Sequence, residues 1–130
     1  MTLISANCHC GAVQFEIRSD LPEFTTCDCS LCEIRNAVML KVPESDLKIK
    51  SGKGNLTLYQ WNMKIAKHYF CKICGTYVFH NKRAAPDHYG VNVKCFQGVD
   101  ISEVYIRETE GENMTVKRDG AQSHWPGPRV

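Results

Sequence analysis

Hydrophobic and polar residues alternate along several short stretches of this chain, which is the pattern of β-strands that bury one face. In residues 11–17 the apolar side chains of Val13, Phe15 and Ile17 lie two positions apart, so they share a face. Similar short runs predict further strands at residues 37–42, 47–50, 56–61, 65–70, 76–80 and 89–96, with weaker signals at 101–106 and 114–117. The pattern therefore predicts about eight to ten short strands.

Turn-forming residues separate these strands. Residues 22–26 predict a loop, Pro43 begins a turn or a single helical turn, and residues 51–55 carry strong turn chemistry. Residues 62–64 join two strands as a hairpin. No stretch has the length and period of a long helix, so we expect a mainly β fold of antiparallel sheets in a single domain spanning residues 1–130.

The composition is ordinary for a globular protein, with 43% hydrophobic and 23% charged residues in a chain of 130. No apolar run approaches the roughly 18 residues that cross a bilayer. No charged start followed by an apolar stretch suggests a secretion signal. We therefore expect a cytoplasmic protein with no membrane partner, and we exclude coiled coils and long disordered chains.

Cysteine is the one unusual component, with eight residues. Two cysteines one or two positions apart rarely form a disulfide with each other, but they can bind one metal ion from a single turn. In the cytoplasm, clustered thiols are more often metal ligands than disulfides. Seven of the eight cysteines fall in three tight groups: Cys8 and Cys10; Cys27, Cys29 and Cys32; Cys71 and Cys74.

The first and third groups together supply four thiolates, which is the ligand set of a closed, tetrahedral structural zinc site. Gly11 and Gly75 follow the two pairs, and Gly75 suits a tight turn with a positive φ angle. Such a site would join two segments about sixty residues apart. The alternative is two separate pairs of reduced thiols in the core, with no metal.

The middle group, Cys27, Cys29 and Cys32, supplies three thiolates within six residues. Three protein ligands and one open position are typical of catalytic zinc. Because three thiolates leave the ion with a net negative charge, we expect it to activate water weakly but to bind and deprotonate an incoming thiol. The chemistry predicted is addition of a thiolate to a carbonyl or similar electrophile, or cleavage of the same carbon–sulfur bond.

A fourth protein ligand would close this middle site. Cys95 is one candidate, although its phase with Val91 and Val93 favours a small apolar core residue. It could also be a reactive thiol. The remaining candidates for a fourth ligand are His9, His68, His80, His88 and Asp28.

The charged and aromatic residues indicate which molecules the protein could bind. Seven thiolates and two divalent ions change the formal net charge from +2 to −1, and lysines and arginines are scattered among acidic residues. We therefore do not expect a nucleic-acid partner. The cations that could bind carboxylates of a thiol are Arg35, Lys64, Lys67, Lys82 and Arg83, and the aromatic residues that could wall a pocket are Trp61, Tyr69 and Phe70. The alternative is that these cations are solvated surface charges and that the aromatic residues belong to the core.

The ordered motifs Cys-His-Cys-Gly, Cys-Asp-Cys-Ser-Leu-Cys, Phe-Cys-Lys-Ile-Cys-Gly-Thr and Tyr-Gly-Val-Asn-Val, between about Asn7 and Asp100, resemble the glutathione-dependent formaldehyde-activating enzyme family. The same domain is named for centromere protein V. The resemblance implies a β-tent of antiparallel sheets around zinc knuckles, with two zinc ions per chain.

The resemblance assigns a structural zinc to Cys8, Cys10, Cys71 and Cys74, and an open, catalytic zinc to Cys27, Cys29 and Cys32. It implies a carbon–sulfur lyase that adds glutathione to formaldehyde to give S-(hydroxymethyl)glutathione, or catalyses the reverse reaction.

Two other functions remain open at this point. A non-catalytic, zinc-ribbon-like module could bind a protein or a nucleic acid. Alternatively, oxidation of the middle cysteine group could release zinc and make the protein a redox or zinc sensor. The sequence gives no indication of the oligomeric state.

Overall fold

The computed structural model describes residues 2–27, 30–61, 64–82 and 85–109. Within these residues there is one short α-helix, and the rest of the regular structure is β-strand with three single 3₁₀ turns. The elements are β1 (Thr2–Asn7), β2 (Gln14–Ser19), β3 (Phe24–Cys27), α1 (Ser30–Arg35), β4 (Met39–Pro43), β5 (Leu47–Ser51), β6 (Leu56–Tyr59), β7 (Lys67–Cys71), β8 (Tyr77–Asn81), β9 (His88–Asn92) and β10 (Ile106–Thr109).

The strands form two sheets. One has three strands in the order β1-β2-β5, and the other has seven in the order β10-β3-β4-β9-β8-β7-β6. All pairs are antiparallel except β10 and β3, which run parallel. The expectation of a mainly β fold built from short strands is therefore confirmed for the described residues.

The two sheets share one hydrophobic core. Phe15 and Ile17 of β2 are buried together with Phe79 of β8 and Val91 of β9. The rings of Phe15 and Phe79 meet edge to face, with centroids 5.4 Å apart. The alternation at Val13, Phe15 and Ile17 in the sequence is thus the inward face of β2, packed against the larger sheet.

Several boundaries differ from the sequence prediction. Thr25 and Thr26 lie in β3, not in a loop, because their backbone pairs with β10 from the far end of the chain. The 89–96 strand ends at Asn92, and Cys95 lies in a 3₁₀ turn. In the 101–106 region the strand begins only at Ile106, and residues 114–117 lie outside the described part of the chain.

Among the described residues, no helix has both the length and the apolar character needed to span a membrane.

Candidate metal centre and adjoining cleft

The first and third cysteine groups come together at the junction of the two sheets. Cys8 and Cys10 lie in the turn between β1 and β2 of the smaller sheet. Cys71 is the last residue of β7, and Cys74 lies in the turn that leads to β8 of the larger sheet. A metal ion bound by all four cysteines would therefore link the two sheets.

Glycines shape both turns. Gly11 and Gly75 have φ angles of +79° and +77°, in the left-handed region that favours glycine. The N–H of Gly11 donates to the Cys8 carbonyl at 3.1 Å, and that of Gly75 donates to the Cys71 carbonyl at 2.8 Å. The positive φ angle predicted for Gly75 is confirmed, and it closes the loop that carries Cys74.

The four sulfur atoms have the spacing of a metal site. The Sγ atoms of Cys8, Cys10, Cys71 and Cys74 all lie within 4.8 Å of one another. Cys10 Sγ is 3.7 Å from both Cys8 Sγ and Cys71 Sγ. A Zn–S bond of about 2.3 Å in a tetrahedron requires sulfur atoms about 3.8 Å apart, whereas a disulfide requires about 2.0 Å. None of the described cysteines is disulfide-bonded, so this cluster could hold a metal ion.

Hydrogen bonds to some of these sulfur atoms favour the negatively charged thiolate over the neutral thiol. The N–H of Val13 donates to Cys8 Sγ at 3.3 Å, and that of Ile73 donates to Cys71 Sγ at 3.4 Å. Hydrogen bonds from the Thr76 hydroxyl and backbone lower the pKa of Cys74 to about 5. A backbone hydrogen bond from Ala12 acts in the same direction on Cys10, but burial and the adjoining thiols raise the Cys10 pKa to about 11. Four thiolates at this spacing would repel one another, so all four sulfurs would lose their protons together only with a cation among them.

The two described cysteines of the middle group, Cys27 and Cys32, lie elsewhere, on β3 of the larger sheet and on α1. Cys27 ends β3 and is half-buried, and Cys32 lies within α1 and is buried. Cys27 packs against the small apolar cluster of Cys32, Ala37 and Met39. Asp28 and Cys29 lie outside the described residues. The helix α1 was not predicted from the sequence, because six residues are too few for a helical period to be recognised.

The helix α1 forms one wall of a cleft with a volume of about 430 Å³. The charged lining residues are Arg35 and Lys94, and no aspartate or glutamate lines the described cleft. The other lining residues are Leu31, Asn36, Ala37, Tyr59, His68, Tyr69, Phe70, Gly75, Tyr77 and Asn92.

Arg35 connects the cleft to the middle cysteine group. Its Nη2 lies 3.7 Å from Cys32 Sγ, and its Nη1 lies 3.3 Å from Nδ1 of His68. The guanidinium carbon sits 3.8 Å from the centroid of the Tyr77 ring, in a cation–π contact. Because arginine only donates hydrogen bonds, a hydrogen bond at this contact requires Nδ1 of His68 to accept.

Two buried histidines support this arrangement from the sheet. His68 on β7 and His80 on β8 are register partners, and their rings stack with centroids 5.0 Å apart. The Tyr77 hydroxyl contacts Nδ1 of His80 and donates to the Gly90 carbonyl at 3.0 Å. Burial holds the pKa of His80 well below its usual value, and the charge of a protonated His68 would lower it further.

Some of the other residues predicted to line a pocket or bind a metal lie in the cleft, and others do not. Tyr69 and Phe70 line the cleft, whereas Trp61, Lys64, Lys67 and Lys82 are not among its described lining residues, and Arg83 lies outside the described residues. His9 is exposed, and His88 contacts Asp87 at 2.8 Å. Sequence reasoning missed Tyr77 and Lys94, since neither stands in a motif that marks it as chemical.

Cys95 lies in the hydrophobic core, where burial raises its pKa to about 12. The thiols that contribute to this rise are Cys8 and Cys74, both in the four-cysteine cluster. The surroundings of Cys95 therefore favour its interpretation as a core residue.

Comparisons with known proteins agree with this architecture. The chain is similar to a Rhodobacter sphaeroides protein of known crystal structure, with 41% sequence identity and a TM-score of 0.73 over 79% of this chain and 99% of that one. The family model described as glutathione-dependent formaldehyde-activating enzyme matches residues 3–117. The chain therefore belongs to the glutathione-dependent formaldehyde-activating enzyme family.

Proposed function

We propose that this protein is a zinc-dependent carbon–sulfur lyase, which adds a thiol such as glutathione to formaldehyde or a similar small electrophile, or catalyses the reverse reaction. The observation that carries the proposal is the position of α1, which supplies Cys32 and also lines the cleft through Leu31 and Arg35. A small molecule in the cleft would lie next to the helix that carries Cys32.

The two cysteine groups have different tasks in this proposal. Cys8, Cys10, Cys71 and Cys74 saturate a tetrahedral ion, and they therefore hold a structural zinc. Cys27, Cys29 and Cys32 hold a second, catalytic zinc with one open position. The chain would then bind two zinc ions, both through reduced thiols, as expected in the cytoplasm.

When bound, the second zinc supplies a position at which an incoming thiol loses its proton. The proton of the thiol passes to water, the sulfur forms a bond to the carbonyl carbon, the π electrons of the C=O bond move to oxygen, and oxygen takes a proton back from water. One thiol and one aldehyde thus give one hydroxymethyl thioether, with no redox change. Tyr59, Phe70 and Tyr77 would hold the reactants away from bulk water, and Arg35 would donate hydrogen bonds beside them.

The experiment combines metal analysis with a ligand variant. The purified protein is expected to contain two zinc ions per chain and to exchange ¹³C-formaldehyde between free and glutathione-bound forms, measured by NMR. Cys29→Ala should keep the fold, lose one zinc ion and lose the exchange. The matched control is Cys95→Ala, which removes a buried thiol outside the three groups and should keep both ions and the exchange.

The proposal is wrong if Cys29→Ala exchanges formaldehyde as fast as the unchanged protein. Two bound zinc ions without turnover of any thiol would instead favour a binding module. Reversible loss of one ion on mild oxidation, again without turnover, would favour a sensor.

A further inference from the structure

Two cations lie close to the described sulfur atoms of the middle cysteine group. Nη2 of Arg35 is 3.7 Å from Cys32 Sγ, and because arginine only donates, this contact is an N–H···S hydrogen bond. The second cation is Lys82, which follows β8 and is half-buried. Burial lowers the pKa of Lys82, and the negative charges of Cys32 and Cys27 oppose that change. Both cations therefore interact with this group.

Neighbouring side chains hold Arg35 in its contact with Cys32. The guanidinium carbon is 3.8 Å from the centroid of the Tyr77 ring, and Nη1 is 3.3 Å from Nδ1 of His68. No described carboxylate forms an ion pair with Arg35, and its buried Nε has no acceptor among the described residues. A guanidinium partly withdrawn from water is stabilised by an anion. The contact therefore suits a thiolate at Cys32, the form in which a cysteine binds a metal ion.

The four-cysteine cluster has a different environment. The hydrogen bonds described for its sulfur atoms involve backbone N–H groups, the Thr76 hydroxyl and the other thiols, and none of them involves a lysine or an arginine. All four of its thiols belong to the chain and are held in place by the fold. A thiolate that arrives from solution has no such support, so the charge around its binding position strongly affects how well it binds.

An incoming thiolate at the proposed open zinc ion meets a centre that is already negative. A zinc ion with three thiolates carries one negative charge, and a fourth thiolate adds another. Cations close to the thiolates reduce the repulsion between these like charges. Hydrogen bonds to metal ligands also tune the ion that they bind. Arg35 and Lys82 each supply a positive charge beside this centre.

We propose that Arg35 and Lys82 offset the negative charge of the middle cysteine group, so that its open zinc position selects a thiolate over a neutral ligand. The proposal rests on the proposed function and adds the residues that determine this selectivity. Arg35 and Lys82 are positioning residues, since they act through Cys32 and Cys27 and need no contact with the incoming molecule. On binding, the thiol gives its proton to water, and a lone pair of its sulfur forms the bond to the metal, without a redox change.

Ligand binding to the Co²⁺-substituted protein tests this selectivity without any turnover. Because the four-cysteine cluster leaves its ion no free position, a change in the Co²⁺ absorption bands reports a ligand at the second ion. 2-Mercaptoethanol binds as an anion, whereas imidazole binds as a neutral ligand. Arg35→Gln should weaken the binding of 2-mercaptoethanol about tenfold or more at a fixed pH and leave the binding of imidazole unchanged. Lys82→Gln should weaken the binding of 2-mercaptoethanol severalfold, again without an effect on imidazole.

Two further variants separate charge from other effects. Arg35→Lys keeps the positive charge and should retain most of the affinity for 2-mercaptoethanol. Lys48→Gln removes an equal charge from an exposed position on β5 of the other sheet and should leave the binding of both ligands unchanged. Each protein is checked for two bound ions and an unaltered circular dichroism spectrum. If Arg35→Gln does not keep the second ion, Arg35→Lys and Lys82→Gln provide the comparison.

The outcomes distinguish this inference from the proposed function. Weaker binding of the thiol alone supports the charge effect. Equal weakening of both ligands would mean that the two cations act only on the fold, and unaltered thiol binding in both variants would mean that their charges do not affect the ion. Either result overturns the inference and leaves the proposed lyase standing. If the unchanged protein binds neither ligand, the second ion has no open position, and the proposed function is wrong as well.

Discussion

Gly90 leaves the space that the buried imidazole of His80 occupies. A Cβ atom at position 90 would lie 2.5 Å from Cε1 of His80 and 3.1 Å from each ring nitrogen. The contact with Cε1 is shorter than real Cβ atoms make, and the other two are tight, so any side chain here would displace the ring. Since His80 contacts Tyr77 and stacks on His68, the displacement would reach the residues that hold Arg35.

We therefore expect Gly90→Ala to destabilise the protein by about 1–3 kcal/mol, the usual cost of overpacking a filled interior. The measurement is the urea midpoint of the zinc-loaded protein. Gly54→Ala provides the control, because a Cβ at Gly54 meets nothing within 4 Å, and we expect a change of no more than about 0.5 kcal/mol. Similar stabilities for the two variants would mean that the ring of His80 can move freely.

The buried imidazole of His80 also predicts a pH dependence. Its pKa in the folded protein lies well below the unfolded value of 6.5, because of burial first and the neighbouring histidine second. Below pH 6.5 the unfolded chain binds a proton that the folded chain does not, so stability falls as the pH drops from about 6.5 towards the folded pKa. The effect is absent above the unfolded pKa.

Denaturant midpoints between pH 8 and 5.5, with zinc content measured in the same samples, test this expectation. His80→Asn should reduce the acid-induced loss of stability, whereas His9→Asn, the same change at an exposed position, should not. An identical pH profile for His80→Asn and the unchanged protein would contradict the assignment of this loss to His80.

The residues that the sequence could identify are those whose chemistry is local. Cys71 and Cys74 are three positions apart in one turn, so their spacing alone indicates a joint role. His68 and His80 are twelve positions apart, and their stacking depends on the register of β7 against β8. Periodicity predicts the two strands but not their pairing, so neither this stacking nor the contact of His68 with Arg35 could be found from the sequence.

At the scale of elements, the cysteine-bearing turns join strands of different sheets. The turn after β1 belongs to the smaller sheet, and the turn after β7 belongs to the larger one. Asn55 connects the two turns through hydrogen bonds. Its Nδ2 lies 3.4 Å from the Ala12 carbonyl, and its own carbonyl accepts from the N–H of Lys72 at 2.8 Å. These hydrogen bonds align the two turns, and an ion bound by the four thiols would join them further.

Cys10 is the best position at which to test whether an ion joins the two turns, because its side chain is exposed. Without a metal, Cys10→Ala should change stability by no more than about 0.5 kcal/mol, as for other exposed positions. With zinc bound, the loss should be far larger, since structural zinc contributes about 10–16 kcal/mol in small zinc domains. Thermal unfolding of Cys10→Ala and of the exposed Ser45→Ala control, with and without a chelator, measures the difference.

Chelation should lower the melting temperature of the Ser45→Ala control to near that of Cys10→Ala, and it should affect Cys10→Ala much less. Equal stability of the two variants in zinc would show that the four-cysteine cluster does not hold a structural ion.

At the scale of the whole molecule, strand content was predictable and topology was not. The strands at 47–50, 56–61, 65–70 and 76–80 overlap β5 to β8, because alternation and turn residues are local signals. The parallel pairing of β10 with β3 joins segments about eighty residues apart, and no local pattern encodes it. The extent of the domain across residues 1–130 stays a prediction.

The parallel pair of β10 and β3 also connects Ile106–Thr109 to the strand that ends at Cys27. Thr109 lies opposite Cys27, its hydroxyl donates to the Thr26 carbonyl at 2.7 Å, and Arg107 forms a forked ion pair with Glu23. The backbone position of Cys27 is thus set partly by residues about eighty positions later in the chain. During synthesis, β3 cannot gain this neighbour until Ile106–Thr109 have been added, so the strand that ends at Cys27 completes its pairing only late.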